Sequence, residues 1–99
     1  MVLNLGCGLD TRSKRITCPD SVKWFDVDFP EVIEFREQFF SNTDNYKMIK
    51  SSVTGKNWLT EIATGSATVI VAEGLLEYLN ADQVKDLFDR LTDNLERAL

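Results

Sequence analysis

Short apolar runs alternate with longer amphipathic stretches along this chain, and each change of period marks a change of element. Val2-Leu3-Asn4-Leu5 reads as a buried strand, ended by a glycine turn. Val22 to Val27, rich in aromatic and β-branched residues, reads as a second strand. A helix is predicted from about Pro30 to Phe40, with proline in its first turn and Asp28 and Glu31 at capping-box spacing. Val32, Ile33, Phe35, Phe39 and Phe40 form its apolar stripe, and the segment from Asn42 to Asn45 is a polar turn. Tyr46 to Lys50 makes a third strand, and Trp58, Leu59 and Ile62 mark a short helix. Ala67 to Ala72 is small and apolar throughout, the pattern of a strand covered on both faces. Val84, Leu87, Phe88, Leu91 and Leu95 then recur at helical spacing, with Asn80 and Gln83 placed to cap the start. Lys85, Asp86, Asp89, Arg90 and Asp93 fall on the other side of that helix, mostly as solvated charge.

Strands that alternate with helices predict an α/β unit with a parallel sheet and right-handed crossovers. No repeat, low-complexity stretch or internal linker divides it, so residues 1–99 are expected to form one unit. A chain of 99 residues supports one small domain with a modest core.

Charge and composition narrow the chemistry. The formal net charge of −5 argues against nucleic acid as a partner, since phosphate binding needs clustered Lys and Arg. Lys14-Arg15 is the one local basic pair. No apolar run is long enough for a membrane span, and no charged-then-apolar leader opens the sequence. The cytoplasm is therefore the expected compartment, with Cys7 and Cys18 as reduced thiols. The chain has no histidine, which removes the commonest general base and the Ser-His and Cys-His nucleophile pairs. Two cysteines alone do not complete a zinc site, so no metal is expected.

Candidate chemistry sits where strands end. Gly6-Cys7-Gly8 follows the first strand, and in an open parallel sheet ligands bind outside the carboxyl ends of strands. Glycines there let the backbone approach a ligand, but a tight turn also needs glycine for its own geometry. Asp28, about twenty positions on and at the end of the second strand, strengthens the ligand reading. A carboxylate at that spacing accepts hydrogen bonds from both hydroxyls of a ribose, or else caps the following helix. Position 11 holds Thr11 rather than the third glycine of a dinucleotide fingerprint, which weakens a nicotinamide reading.

Four blocks together carry a family resemblance: Leu5-Gly6-Cys7-Gly8-Leu9-Asp10-Thr11-Arg12, then Trp24 to Ile33, then Trp58-Leu59, then Ala72-Glu73-Gly74-Leu75-Leu76-Glu77-Tyr78-Leu79. They resemble the leucine carboxyl methyltransferase family, which includes polyketide O-methyltransferases of the tetracenomycin type. The blocks run in family order and span nearly the whole chain. The resemblance implies a partial Rossmann-like class I methyltransferase fold with strand order 3-2-1-4, and S-adenosyl-L-methionine (SAM) as cofactor. It implies that Gly6 and Gly8 pass under the methionine part of SAM and that Asp28 holds the ribose. Ser52 and Val53 fall where the family places a loop beside the adenine, usually with aspartate at the position of Ser52. Glu73 falls where the family has an acid lining the SAM pocket, and would otherwise be a turn acid.

Other positions stay open or bland. Arg12 either faces the pocket or pairs at the surface, and Tyr78 either lines an acceptor site or packs. Cys7 reads as a small spacer, and Trp24, Phe25 and Trp58 as core. No catalytic residue is assigned.

Methyl transfer to an ionised carboxylate is an in-line displacement that needs alignment more than acid–base help, so a histidine-free site is compatible with it. The expected acceptor is a small-molecule or protein carboxylate, or a hydroxyl. The resemblance also implies helices before the first strand and about three strands after the last. The sequence is thus expected to be the SAM-binding half of a methyltransferase, with strand four as an open edge that invites a second copy. The alternatives are a SAM-binding or interaction module without turnover, and a small nicotinamide-binding domain.

Overall fold

The computed structural model describes residues 1–16, 19, 21–55, 57–62 and 68–96, the side chains of 94–96 aside. Cys18, Ala67 and the side chain of Leu95 lie outside the described residues. Four parallel strands form one sheet: β1 (Val2–Leu5), β2 (Trp24–Asp28), β3 (Tyr46–Lys50) and β4 (Val69–Val71), in the order β3-β2-β1-β4. This is a partial Rossmann-like α/β fold with the expected strand order. Three helices accompany them: α1 (Arg12–Arg15), α2 (Pro30–Arg36) and α3 (Ala81–Glu96), with 3-10 turns at Trp58–Glu61 and Leu76–Tyr78.

Alternation along the strands builds a core on each face. Leu3, Leu5, Phe25, Val27 and Ile49 point to one side, where Trp58, Leu59, Leu87 and Leu91 cover them. Trp24, Tyr46 and Met48 point to the other, where Ile33 of α2 and Cys7 complete a second cluster. Trp24, Phe25 and Trp58 are core, as expected. Helix α3 begins with a reciprocal cap, in which the Asn80 N–H donates to Gln83 Oε1 at 2.9 Å and the Gln83 N–H to Asn80 Oδ1 at 2.8 Å.

Two elements and one side chain depart from the sequence reading. Helix α2 stops at Arg36, four residues short, because tight turns replace helical bonds: Phe39 N–H donates to Arg36 O and Gln38 N–H to Phe35 O. Phe35 within α2 and Phe39 beyond it are exposed, and Ile33 and Arg36 are the residues α2 buries. Asp28 does not cap α2; its carboxylate is turned the other way, towards the glycine loop. Strand β4 is not covered on both faces, since Val69 and Ile70, which point to opposite faces, are 62% and 39% exposed; among the described residues it pairs with β1 alone. Among the described residues no helix is long and apolar enough to cross a membrane.

Candidate functional site

The carboxyl ends of the four strands meet at a cavity of about 250 Å³. Each strand contributes to its wall: Gly6 after β1, Asp28 at the end of β2, Ser51, Ser52 and Val53 after β3, and Gly74 and Leu75 after β4. Phe29, Tyr78 and Leu79 complete it, and Tyr78 is turned outward with 81% exposure rather than packed. The position follows from topology. In the order β3-β2-β1-β4 the connections reverse direction between β1 and β4, and the loops there diverge and leave a crevice.

Gly6 and Gly8 have φ values of 66° and 54°, a region closed to most side chains. A Cβ on Gly6 would approach Leu75 Cδ1 to 3.2 Å, while one on Gly8 would meet nothing within 4 Å. Gly6 therefore answers to both space and conformation, and Gly8 to conformation alone. The resulting turn aims the Gly8 N–H at Asp28 Oδ2, 2.8 Å away. Asp28 Oδ1 accepts from the Phe29 N–H at 2.7 Å. Each oxygen keeps further acceptor capacity, and the carboxylate is part of the cavity wall.

Glu73 does not share that wall. It lies across Gly6 in a polar cavity of about 240 Å³, with Asn4, Cys7, Asp10, Arg12 and Val71. Arg12 Nη2 donates to both carboxylate oxygens of Glu73, each at 3.1 Å. The Arg12 N–H caps onto Asp10 Oδ1 at 2.9 Å, and Asn4 Nδ2 donates to Asp10 Oδ2 at 3.1 Å. Glu73 first, then Asp10, hold the Arg12 guanidinium still more firmly protonated than usual. Thus Arg12 both pairs and lines a cavity. The two cavities share Gly6 in their walls. One compartment is largely apolar and the other is charged.

The loop after β3 is fixed from several sides. Ser52 Oγ and Thr54 Oγ1 share a hydrogen bond of 2.7 Å, and Trp58 Nε1 donates to Val53 O at 3.0 Å. From α3, Arg90 donates to Gly55 O at 2.5 Å and Thr54 O at 3.1 Å. Arg90 is therefore a structural clamp and not solvated charge. Cys7 is buried, and burial, followed by the nearby Asp26 carboxylate, pushes its thiol up to about 12. A thiol of that kind is a spacer and not a nucleophile.

Sequence reasoning passed over Asp26, Arg36 and Tyr46, which lie beneath the glycine loop. Asp26 and Arg36 are fully buried, and Arg36 Nη2 meets Asp26 Oδ2 at 2.6 Å. The signal was present: an aspartate between Phe25 and Val27, and an arginine three residues after Ile33 on the inward face of the helix.

Comparison with known proteins identifies the family. Residues 1–92 match the sequence model for leucine carboxyl methyltransferase. The chain belongs to the leucine carboxyl methyltransferase family. It is 41% identical over 95 residues to the tetracenomycin polyketide synthesis O-methyltransferase TcmP of Streptomyces glaucescens, covering 96% of this chain and 35% of that protein. It is 28% identical over 100 residues to the S-adenosyl-L-methionine-dependent methyltransferase dpfgK of Gibberella zeae, covering 94% of this chain and 34% of that protein. The chain thus spans about a third of the length of these curated relatives. The residues matched to the family contain all the strands and both cavities.

Proposed function

We propose that this chain holds SAM at the carboxyl ends of its sheet and forms the donor-binding half of an O-methyltransferase. The observation that carries the reading is the Asp28 carboxylate, fixed by the Gly8 N–H at 2.8 Å and lining the cavity between β1 and β4. Its remaining acceptor sites suit a ribose diol, because charge-assisted bonds to adjacent hydroxyls are strong and directional. Ser52 and Val53 would flank the adenine, with Leu75, Leu79 and Tyr78 as its apolar surroundings. Gly6 lines both cavities, so the chain of the cofactor would cross its Cα, where a Cβ would be crowded against Leu75 and strained by the φ of 66°. Gly8 would act through its N–H on Asp28. In the polar cavity Glu73 would face the charged amino-acid end of the cofactor, alongside Arg12 and Asp10.

When bound, SAM supplies a methyl group on a sulfonium, a leaving arrangement that needs no metal. The residues of this chain would orient the donor and exclude water from it. Alignment of this kind is worth roughly 7–11 kcal/mol in favourable cases. The acceptor is a carboxylate or hydroxyl on a small molecule, or a protein carboxylate, in keeping with a relative named as a polyketide synthesis O-methyltransferase. A carboxylate acceptor is ionised at neutral pH and fits a chain without histidine. We place the protein in the cytoplasm, and we read the one-sided pairing and exposed Val69 of β4 as a surface for a second copy.

Calorimetric titration of the chain with SAM, S-adenosylhomocysteine and NAD tests the cofactor. Heat is expected with the first two and not with NAD. Absence of binding by both sulfur nucleosides at millimolar concentration would sink the reading. Asp28→Ala should weaken S-adenosylhomocysteine by about 30-fold or more, the effect of losing two hydrogen bonds to a charged acceptor.

A further inference from the structure

Arg36 is fully enclosed, at 0% exposure, and its guanidinium faces two ways. Through Nη2 it meets Asp26 Oδ2 at 2.6 Å and Tyr46 Oη at 2.9 Å. Through Nη1 it donates to Gly8 O at 3.1 Å and to Asp10 O at 2.7 Å. These two carbonyls belong to the loop that crosses the candidate cofactor site. Asp26 is itself held by the Tyr46 hydroxyl at 2.6 Å and by Trp24 Nε1 at 2.9 Å. The ring of Phe40 lies 5.0 Å from the guanidinium, and Lys14 Nζ sits 3.9 Å from the centroid of the Tyr46 ring.

We infer that Arg36 is a positioning residue for the cofactor site, acting through the glycine loop; this rests on the proposed SAM reading. A planar guanidinium can hold a carboxylate on one edge and two carbonyls on another, with the angle between them fixed by the group itself. Asp26, Tyr46 and Trp24 fix one edge to the sheet. The other edge then fixes the carbonyls of Gly8 and Asp10 relative to β2. Holding the Gly8 carbonyl fixes the peptide plane that follows Gly8, and the Gly8 φ of 54° relates it to the preceding plane, whose Gly8 N–H points at Asp28. Asp26 and Asp28 lie two apart on β2, so the base of the clamp and the ribose-binding acid ride on the same strand. The loop and the acid are thereby preorganised before ligand arrives. A buried ion pair adds little net stability over an apolar pair of the same volume. Loop geometry is what this one supplies that an apolar pair would not.

Two variants remove the Nη1 donors in opposite electrostatic settings. Arg36→Lys keeps a charge that reaches Asp26 but has no fork for the carbonyls. Asp26→Asn combined with Arg36→Met leaves no buried charge at all. Amide hydrogen exchange by NMR and calorimetric titration with S-adenosylhomocysteine are measured on each full chain. The expected result in both is Gly8 amide exchange faster by roughly 10-fold or more beyond the change in global stability, which the Leu3 and Ile49 amides report, and affinity weaker by about the same factor. In an Asp28→Ala background Arg36→Lys should produce no further loss of affinity, because the loop then has no acid to serve. Wild-type Gly8 exchange in either folded variant overturns the inference, as does wild-type affinity. If the unaltered chain binds no S-adenosylhomocysteine, the SAM reading falls instead, and the Gly8 amide alone decides whether Arg36 sets the loop.

Discussion

Replacing Asp26 by asparagine changes one oxygen for one nitrogen in a site with no room to adjust. The carboxylate accepts from three donors, Trp24 Nε1 at 2.9 Å, Arg36 Nη2 at 2.6 Å and the Tyr46 hydroxyl at 2.6 Å. An asparagine has one oxygen, so its amide nitrogen must face a donor and at least one of the three loses its acceptor. The larger effect is electrostatic, because Asp26 and Arg36 are both fully buried and the arginine would keep a charge with no counter-charge. Breaking a buried pair from one side costs about 3–5 kcal/mol. A domain of this size gains or loses about 5 °C in Tm per kcal/mol, so Asp26→Asn should melt roughly 15–25 °C lower. Such a loss is comparable with the whole stability of a small domain, about 5–15 kcal/mol. Thermal unfolding followed by far-ultraviolet circular dichroism reads the shift. Adding Arg36→Met to Asp26→Asn removes the orphaned charge and should restore at least half of it. A fall of under about 5 °C for the single variant, or no recovery in the double, would show that the pair is not electrostatically isolated.

Stability should also fall in alkali. Burial, and then the bond to Asp26, pushes the Tyr46 hydroxyl from 10.0 up to about 12, and burial pushes the Cys7 thiol from 9.0 to about 12. The folded chain keeps both protons where the unfolded chain releases them, so stability is full below pH 9 and declines between pH 9 and about 12. Each group steepens the decline by up to about 1.4 kcal/mol per pH unit, and a urea midpoint unchanged from pH 8 to 11 would contradict this. Arg90→Ala removes the clamp on Thr54 and Gly55 and should cost about 1.5–3 kcal/mol, with weaker S-adenosylhomocysteine binding. Unaltered melting and affinity would mean that α3 does not support that loop. Asn80→Ala breaks the reciprocal cap of α3 and should lower stability by about 1 kcal/mol in denaturant titration, without changing cofactor affinity.

The layout of the sheet is legible in the amino-acid sequence because it depends on local periodicity. Leu3 and Leu5 in β1, Phe25 and Val27 in β2, and the run from Tyr46 to Lys50 all declare strands by composition and alternation. The glycines of the first turn and the acid ending β2 announce themselves in the same way, since backbone geometry and spacing follow from residue type. The cap formed by Asn80 and Gln83 is likewise local. The end of α2 is not legible: Phe39 and Phe40 continue an apolar helical pattern, but the turn back to β3 competes for their backbone and wins.

The sequence by itself determined which segments become strands, which turn carries the glycines, and which carboxylate stands beside it. Each depends on interactions within a few residues or on a spacing fixed by one crossover. Tertiary structure decided how those parts face one another. It turned Asp28 from the helix behind it to Gly8 across the loop, and set Asp28 and Glu73 in two cavities that share only Gly6. It drew Arg90 from a solvated helix face onto the loop after β3, and sank Arg36 beneath the glycine turn. The reason is the same in each case. A long polar side chain has no periodicity of its own, and its place is set by whichever unpaired carbonyl or carboxylate the folded backbone brings within reach.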